Sequence, residues 1–231
     1  RGFESFVGLY PVPTRHGMTA GEIARHVRRA HDIDVDLDVI PMEGWTRAMW
    51  WDETDLPWIP PSPNMPTLQT AIVYPGGCLI EATSLSEGRG TTTPFELVGA
   101  PGIDGAVVAN DLRDRHLPGC VLRPVTFEPR FQKHAGVPCG GVFVHVTDRD
   151  VFDALRTYTH LIDAVRRRFP ESFAWRGEAY EFVRDVPAID LLSGSSRLRH
   201  AIESGGDIDD ALRDDFSRRF LVEREADLIY P

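Results

Sequence analysis

At 231 residues the chain is long enough for one large or two small domains, and an apolar fraction of 42% covers a real core. The 35 acidic against 25 basic residues leave a net charge of −10, which opposes the counterion-release attraction behind nucleic-acid binding and excludes that class of partner. No membrane span is expected, because no stretch approaches the roughly 20 apolar residues a spanning helix needs, and even 69–80 is broken by Pro75, Gly76 and Gly77.

In chain order, the opening Arg-Gly-Phe-Glu-Ser-Phe has no initiator Met and enters directly into apolar sequence, as expected of a chain cut from something longer. Thr19 and Glu22 have capping-box spacing, and Ile23, Ala24, Val27 and Ala30 return at helical intervals, predicting a helix over about 20–31. Val35, Leu37 and Val39 alternate with Asp36 and Asp38, the period of a half-exposed strand. A short helix is expected over 65–74, then a stop at Pro75-Gly76-Gly77 and a strand over 78–83. Pro94 reads as the first residue of a short helix over Phe95 to Val98. Beyond about residue 100, Asp104 caps a helix to about Arg115, strands follow at 121–127 and 142–146, and Asp148 or Asp150 caps a long helix that Pro170 stops. The tail is helical, with Ser195 or Ser196 before a short helix, a break at Gly205-Gly206 and an amphipathic stretch over 208–225. The class is α/β, with the best domain boundary near residue 100.

Chemistry concentrates between Pro57 and Pro101. There Glu81, Glu87 and Glu96, the guanidinium of Arg89 and many hydroxyls lie on backbone punctuated by Pro and Gly. In Ser86-Glu87-Gly88-Arg89-Gly90-Thr91 a carboxylate and a guanidinium stand two residues apart among glycines, and the planar fork of Arg89 matches a carboxylate or phosphate. An anion there would also meet the free amides of the helix expected after Pro94. The bland reading of the same residues is a tight surface turn with an internal Glu87 to Arg89 pair. Ser62 and Asn64, held between prolines, present side chains on stiff backbone or simply make a rigid turn. Trp45, Trp50, Trp51 and Trp58 suit the apolar face of a sugar ring, although core packing is the simpler reading.

Other chemistries find less support. The loop lacks the Gly-Lys-Ser/Thr of a nucleotide-binding loop, no Gly-x-Ser-x-Gly elbow is present, and the eight histidines show no metal-ligand spacing. Cys78, Cys120 and Cys139 are odd in number and widely spaced, so they read as buried small apolar residues and not as disulfides or zinc ligands. A glycosidase uses a carboxyl as general acid and a second group across the sugar. Glu81 and Glu87 are candidates for such work by residue type, and His16 and His134 for a polar contact or a structural hydrogen bond.

These residues resemble a known family. Pro60-Pro61-Ser62-Pro63-Asn64-Met65-Pro66, Val73-Tyr74-Pro75-Gly76, Glu81, Ser86 to Thr92, Pro94-Phe95-Glu96 and Gly99-Ala100-Pro101 are similar to the exo-acting β-N-acetylmuramidases, glycoside hydrolase family 171, first catalogued as domain of unknown function 1343. The likeness includes Ser5 to Pro11, Pro13 to Thr19, Lys133 to Gly136 and Cys139 to Gly141, and runs essentially end to end. It implies release of terminal N-acetylmuramic acid from peptidoglycan fragments without a cofactor, in a secreted or periplasmic setting. It also implies a partial Rossmann-like layer over 1–100 followed by a smaller auxiliary α/β domain over 101–231. Within that saccharide reading Glu87 and Glu81 stay the catalytic candidates by residue type, with Arg89, Asn64, Ser62, His16, Ser86 and Thr91 expected to bind the saccharide and no metal. A Pro-Glu-His-Gly segment in the family's preceding half, thought to carry the catalytic Glu, has no counterpart here, which implies that the chain is the later portion and inactive alone. Where the family commonly has Glu-Gly-Thr-Asn, this chain has Glu81-Ala82-Thr83-Ser84, losing one amide contact. The alternative function is a non-catalytic saccharide-binding or interaction module.

Overall fold

The computed structural model describes residues 2–6 and 8–231; Arg1, and Val7 within the opening motif, lie outside the described residues. Among the described residues the elements run α1 (Ala20–Ala30), α2 (Leu68–Gly77), β1 (Leu97–Ala100), α3 (Gly105–Arg113), β2 (Cys120–Phe127), β3 (Cys139–Val146), α4 (Ala154–Arg168), α5 (Ala188–Ser193), α6 (Arg197–Ser204), α7 (Ile208–Leu212) and α8 (Asp215–Glu223). The protein is of mixed helix and sheet class and divides into two compact units. One joins Ile59–Leu212 to the first residues of the chain, and the other joins Gly8–Trp58 to Arg213–Pro231.

In the larger unit the three strands form one antiparallel sheet in the order β1-β3-β2, with Val98 opposite Val142 and Leu122 opposite Val144. Helix α3 packs on β2 and β3 and against α4, and α2 packs against α4. Helix α4 forms because Asp153 Oδ1 accepts from the Arg156 amide at 2.9 Å and three arginines, Arg166, Arg167 and Arg168, close its last turn against the helix dipole. Its Leu161, Ile162 and Val165 are buried with Leu79, Ile80, Leu85, Phe95, Val142 and Val144, each such side chain contributing about 1.5–3 kcal/mol. Tyr158 crosses the same core and donates to the Phe95 carbonyl at 2.5 Å, so its hydroxyl is satisfied although buried.

The smaller unit has a polar seam. The capping box at Thr19 and Glu22 is present, but α1 buries Glu22 and His26 more fully than the apolar residues whose spacing marks the helix. Glu22 accepts from Arg47 Nη2 at 2.6 Å and from the Ile229 amide at 2.8 Å, while His26 Nδ1 lies 2.8 Å from Asp227 Oδ2. Arg29 Nη2 meets the same Asp227 carboxylate at 2.7 Å. Burial works against the charge of Glu22, yet Arg47 and the Ile229, Thr19 and Tyr230 amides together hold its pKa at about 2. Trp45 stands edge-on to Tyr230 with ring centroids 4.9 Å apart, and Trp51 edge-on to Trp58 at 5.6 Å.

Several expectations are corrected. Residues 35–39 form no strand; Val35 is exposed and no neighbouring segment supplies a ladder. The apolar run expected as a strand over 78–83 is a 3-10 turn, Cys78–Ala82, whose Leu79 and Ile80 pack toward α4 and α5; a short apolar run has no period that separates strand from helix. No helix follows Pro94. Phe95 has φ +67° and donates its amide to the Glu87 carbonyl at 2.5 Å, a conformation no helix continues through. The stretch over 208–225 breaks in two because Asp214 Oδ1 caps α8 at the Ser217 amide, 2.6 Å. The long helix is capped by Asp153, not Asp148 or Asp150. Cys139 is buried, whereas Cys78 and Cys120 are half-buried, and all three are free.

Candidate functional site

In the larger unit, the segment from Glu81 to Phe95 runs from the 3-10 turn back to the sheet. Ser86 pairs with Gly99 in an isolated antiparallel bridge, its amide donating to the Gly99 carbonyl at 2.8 Å, which ties the loop to β1. Immediately afterwards Gly88 (φ +75°) and Gly90 (φ +84°) turn the backbone through conformations that residues with a Cβ rarely adopt. A side chain at Gly90 would also strike the backbone of Arg130 and Phe131, within 2.8 Å of its Cβ. The turn is closed by Thr91, whose hydroxyl donates to the Gly88 carbonyl at 2.6 Å, and by Ser86 Oγ, which accepts from the Gly88 amide at 3.1 Å.

This backbone projects Arg89 between two carboxylates. Its Nη2 donates to Glu81 Oε1 at 2.6 Å and its Nε lies 3.2 Å from Glu87 Oε1, an ion contact without hydrogen-bond alignment. The guanidinium sits 5.2 Å from the Phe95 ring centroid. Opposite, Lys133 Nζ donates to Glu87 Oε2 and to the carbonyls of Ile80 and Leu85, all at 3.0 Å, so its three N–H bonds are used. Burial lowers the Lys133 pKa, with Glu87 acting against that. His134 Nε2 lies 2.8 Å from the Ser84 carbonyl, so Lys133 and His134 together clamp their loop onto 80–87. The hydroxyl of Tyr180 donates to Glu81 Oε2 at 3.1 Å, and Arg176 lies over the Tyr180 ring at 5.3 Å. Burial, followed by the charge of Glu81, raises the Tyr180 phenol and pushes Tyr74 up to about 12.

The two cations and two carboxylates of Arg89, Lys133, Glu81 and Glu87 balance in formal charge. Glu87 is 3% exposed, while the Arg89 side chain keeps 26% of its surface. Among the described residues Arg89 Nη1 takes no protein partner, leaving one edge of the planar fork available to an anion.

The sequence-derived candidates do not all meet here. Glu81, Glu87 and Arg89 are joined directly, and Ser86 and Thr91 shape the loop with their hydroxyls turned to its backbone. The anion-binding amides expected after Pro94 are absent, since Phe95 leads into β1. Ser62 is exposed and accepts from the Met65 amide through its carbonyl at 2.9 Å; no hydrogen bond or ion pair among the described residues links it or the half-buried Asn64 to Arg89. His16 belongs to the smaller unit, where its Nδ1 accepts from the Met18 amide at 3.1 Å, and burial with Arg224 lowers its pKa. Glu96, the third carboxylate of the run, is a core group: it accepts from Thr70 Oγ1 at 3.2 Å and burial raises its pKa. Spacing could not have found Tyr180, which arrives from 99 positions away. Lys133 carried a signal in its place beside His134 in a motif of the resemblance, though not its role. No group of three or more metal-binding side chains occurs among the described residues, and no helix there is long and apolar enough to cross a membrane.

The mixed helix-and-sheet scaffold thus presents an arginine flanked by carboxylates in a Gly-bounded loop, a polar and charge-paired cluster. The family model described as exo-beta-N-acetylmuramidase NamZ, C-terminal, matches residues 72–230, the corresponding N-terminal model matches residues 1–69, and the chain belongs to this family. It is 43% identical over 230 residues to the peptidoglycan beta-N-acetylmuramidase NamZ of Bacillus subtilis (strain 168), a match covering 99% of this chain and 54% of that protein. A crystal structure of a DUF1343 family protein from Bacteroides fragilis NCTC 9343 superposes with a TM-score of 0.87 at 26% identity, over 100% of this chain and 60% of the other. A second protein of the same description and organism gives 0.73 at 29% identity, over 99% and 60%. The chain thus spans about half the length of the curated relative it matches.

Proposed function

We propose that the chain forms part of an exo-β-N-acetylmuramidase releasing terminal N-acetylmuramic acid from the non-reducing end of peptidoglycan fragments, with no cofactor. The 43% identity to the Bacillus subtilis enzyme supports the reaction. The structural observation that carries the substrate assignment is the unpartnered Nη1 edge of Arg89. Muramic acid differs from the neighbouring hexosamine by a lactyl carboxylate, and a guanidinium already aimed by two carboxylates meets such a group at little cost in side-chain entropy.

In this reading Glu81 is the carboxylate that faces substrate, since its side chain is 14% exposed and shares a hydrogen bond with Tyr180. Glu87, closed in by Lys133 and Arg89, sets the direction of the guanidinium. Ser86 and Thr91 hold the loop, and Ser62 and Asn64 contact the saccharide from the Pro-rich turn. The same reading takes residues 1–100 as the end of a Rossmann-like catalytic domain and 101–231 as an auxiliary α/β domain, β1 being contributed across that division to the auxiliary sheet. The N-terminal family model supports this for residues 1–69, and the C-terminal model begins at residue 72.

The test is turnover, by the full-length protein, of a chromogenic N-acetylmuramide beside its N-acetylglucosaminide counterpart. Arg89→Ala is expected to lower kcat/KM for the muramide by roughly 30-fold to 10³-fold, the range for truncating one partner of a desolvated charge pair, with little effect on the uncharged analogue. Equal loss on both substrates would remove the carboxylate assignment. One observation favours a second reading, a saccharide-binding module: both oxygens of Glu87 and one of Glu81 face cations, the arrangement of acceptors and not of a proton donor. Calorimetry with a muramic-acid disaccharide beside the hydrolysis assay separates the readings, since heat of binding without cleavage supports the module.

A further inference from the structure

Two consecutive residues with side chains occupy the left-handed region, Glu181 at φ +46° and Phe182 at φ +69°. Across them Tyr180 and Val183 exchange both backbone hydrogen bonds, at 3.0 and 2.9 Å, which makes 180–183 a type I′ hairpin turn. Such turns favour Asn-Gly, because Gly has no Cβ to crowd the backbone and the short Asn side chain bonds locally, whereas a bulky ring is among the worst choices. The arrangement does not serve burial: the Phe182 ring is 90% exposed. Its neighbour is Phe6, itself 80% exposed, edge-on with centroids 6.2 Å apart. Strain that leaves an aromatic ring uncovered by any other described residue of this chain except Phe6 points to a contact for the ring beyond the chain's own packing.

The turn is also tied to the Arg89 site. Tyr180 is buried and its hydroxyl donates to Glu81 Oε2, while Glu81 Oε1 accepts from Arg89. Two residues on, the Cα of Phe182 lies no more than about 7.6 Å from that of Tyr180. Apolar rings beside a few fixed polar groups are the usual makeup of a small-molecule site.

We propose that the Glu181-Phe182 turn is a saccharide platform: an N-acetylhexosamine ring of the bound glycan lays its C–H face on Phe182 while the acidic substituent of its neighbour meets Arg89. The platform rests on the saccharide reading of the Arg89 site and deepens it by fixing where the next sugar lies. A flat aromatic ring presents a large contact area with two rotatable bonds to immobilise.

The test exploits the strain. Glu181→Asn with Phe182→Gly installs the preferred I′ pair, so the doubly substituted full chain should melt at a higher temperature than wild type while its affinity for a muramic-acid-containing disaccharide, read by calorimetry, falls about tenfold. Phe182→Trp should retain wild-type affinity. Undiminished binding by the Asn-Gly variant overturns the platform, as does a loss of affinity that follows a change in oligomeric state in sedimentation, which would assign the ring to a second copy of the chain. If wild type binds and Arg89→Ala does not, yet the Asn-Gly variant binds normally, the platform alone fails. If wild type itself takes up no disaccharide, the Arg89 reading fails with it.

Discussion

Lys133→Met removes the charge that holds Glu87 while keeping the length of the side chain. In the native protein Lys133 Nζ makes three hydrogen bonds of 3.0 Å, to Glu87 Oε2 and the carbonyls of Ile80 and Leu85. Ile80 O keeps the Thr83 amide at 3.0 Å and the Thr83 hydroxyl at 2.8 Å, so it loses little. Glu87 keeps the Arg89 Nε contact at 3.2 Å, whereas Leu85 O loses its donor. Breaking a buried pair by removing one partner costs about 3–5 kcal/mol, and the retained Arg89 contact argues for the low end. An orphaned carbonyl adds about 1–3 kcal/mol. Together the loss is roughly 4 kcal/mol, which for a domain of this size lowers Tm by about 8–16 °C. Denaturant unfolding followed by circular dichroism gives the free energy, and hydrogen exchange of the 85–90 amides localises it. Glu87→Gln in the same chain should restore a large part of the stability, since no carboxylate is then left without Lys133. A Lys133→Met protein within about 0.5 kcal/mol of wild type, or a double variant no better than the single one, would refute the reasoning.

Two further outcomes follow from the packing and the polar seam. Glu22 has its native pKa held at about 2 against an ordinary 4.5, so its contribution to stability is complete above pH 4.5 and is lost as pH falls toward 2, roughly 3 kcal/mol in all. Glu22→Gln should lose stability at neutral pH and show a shallower acid transition in that window, read by fluorescence of the tryptophans of the smaller unit; an unchanged acid limb counts against the seam. Gly76→Ala would place a Cβ 2.0 Å from the Ala154 carbonyl where α2 meets α4, costing about 1–3 kcal/mol by displacement of the helix. Gly177→Ala, with nothing within 4 Å of the new carbon, is the control expected within about 0.5 kcal/mol, and equal melting temperatures would contradict the close approach.

What could be read from the sequence was local. Capping at Thr19 and Asp104, the strands β2 and β3, the Gly205 break and the conformational demands of Ser86 to Thr91 are all written within a few residues, because caps, alternation and turns act over one or two hydrogen bonds. The family too was legible, because its motifs lie in contiguous runs. Failures fell where a short apolar or alternating segment had more than one use. Leu79 and Ile80 became a 3-10 turn because α4 and α5 cover them, and 35–39 stayed unpaired because no strand met it.

Tertiary structure alone decided the membership of the site. It brought Lys133 and Tyr180 to Glu87 and Glu81, kept Glu96 in the core beside Thr70, and set His16 Nδ1 to accept from the Met18 amide. Ion pairs and buried hydrogen bonds have no period along a chain; they form between whichever groups the packing of helices and sheet leaves facing each other, and that depends on contacts separated by tens of residues. The chain's chemistry could be located in one loop from its residues, whereas the direction in which Arg89 points belongs to the fold.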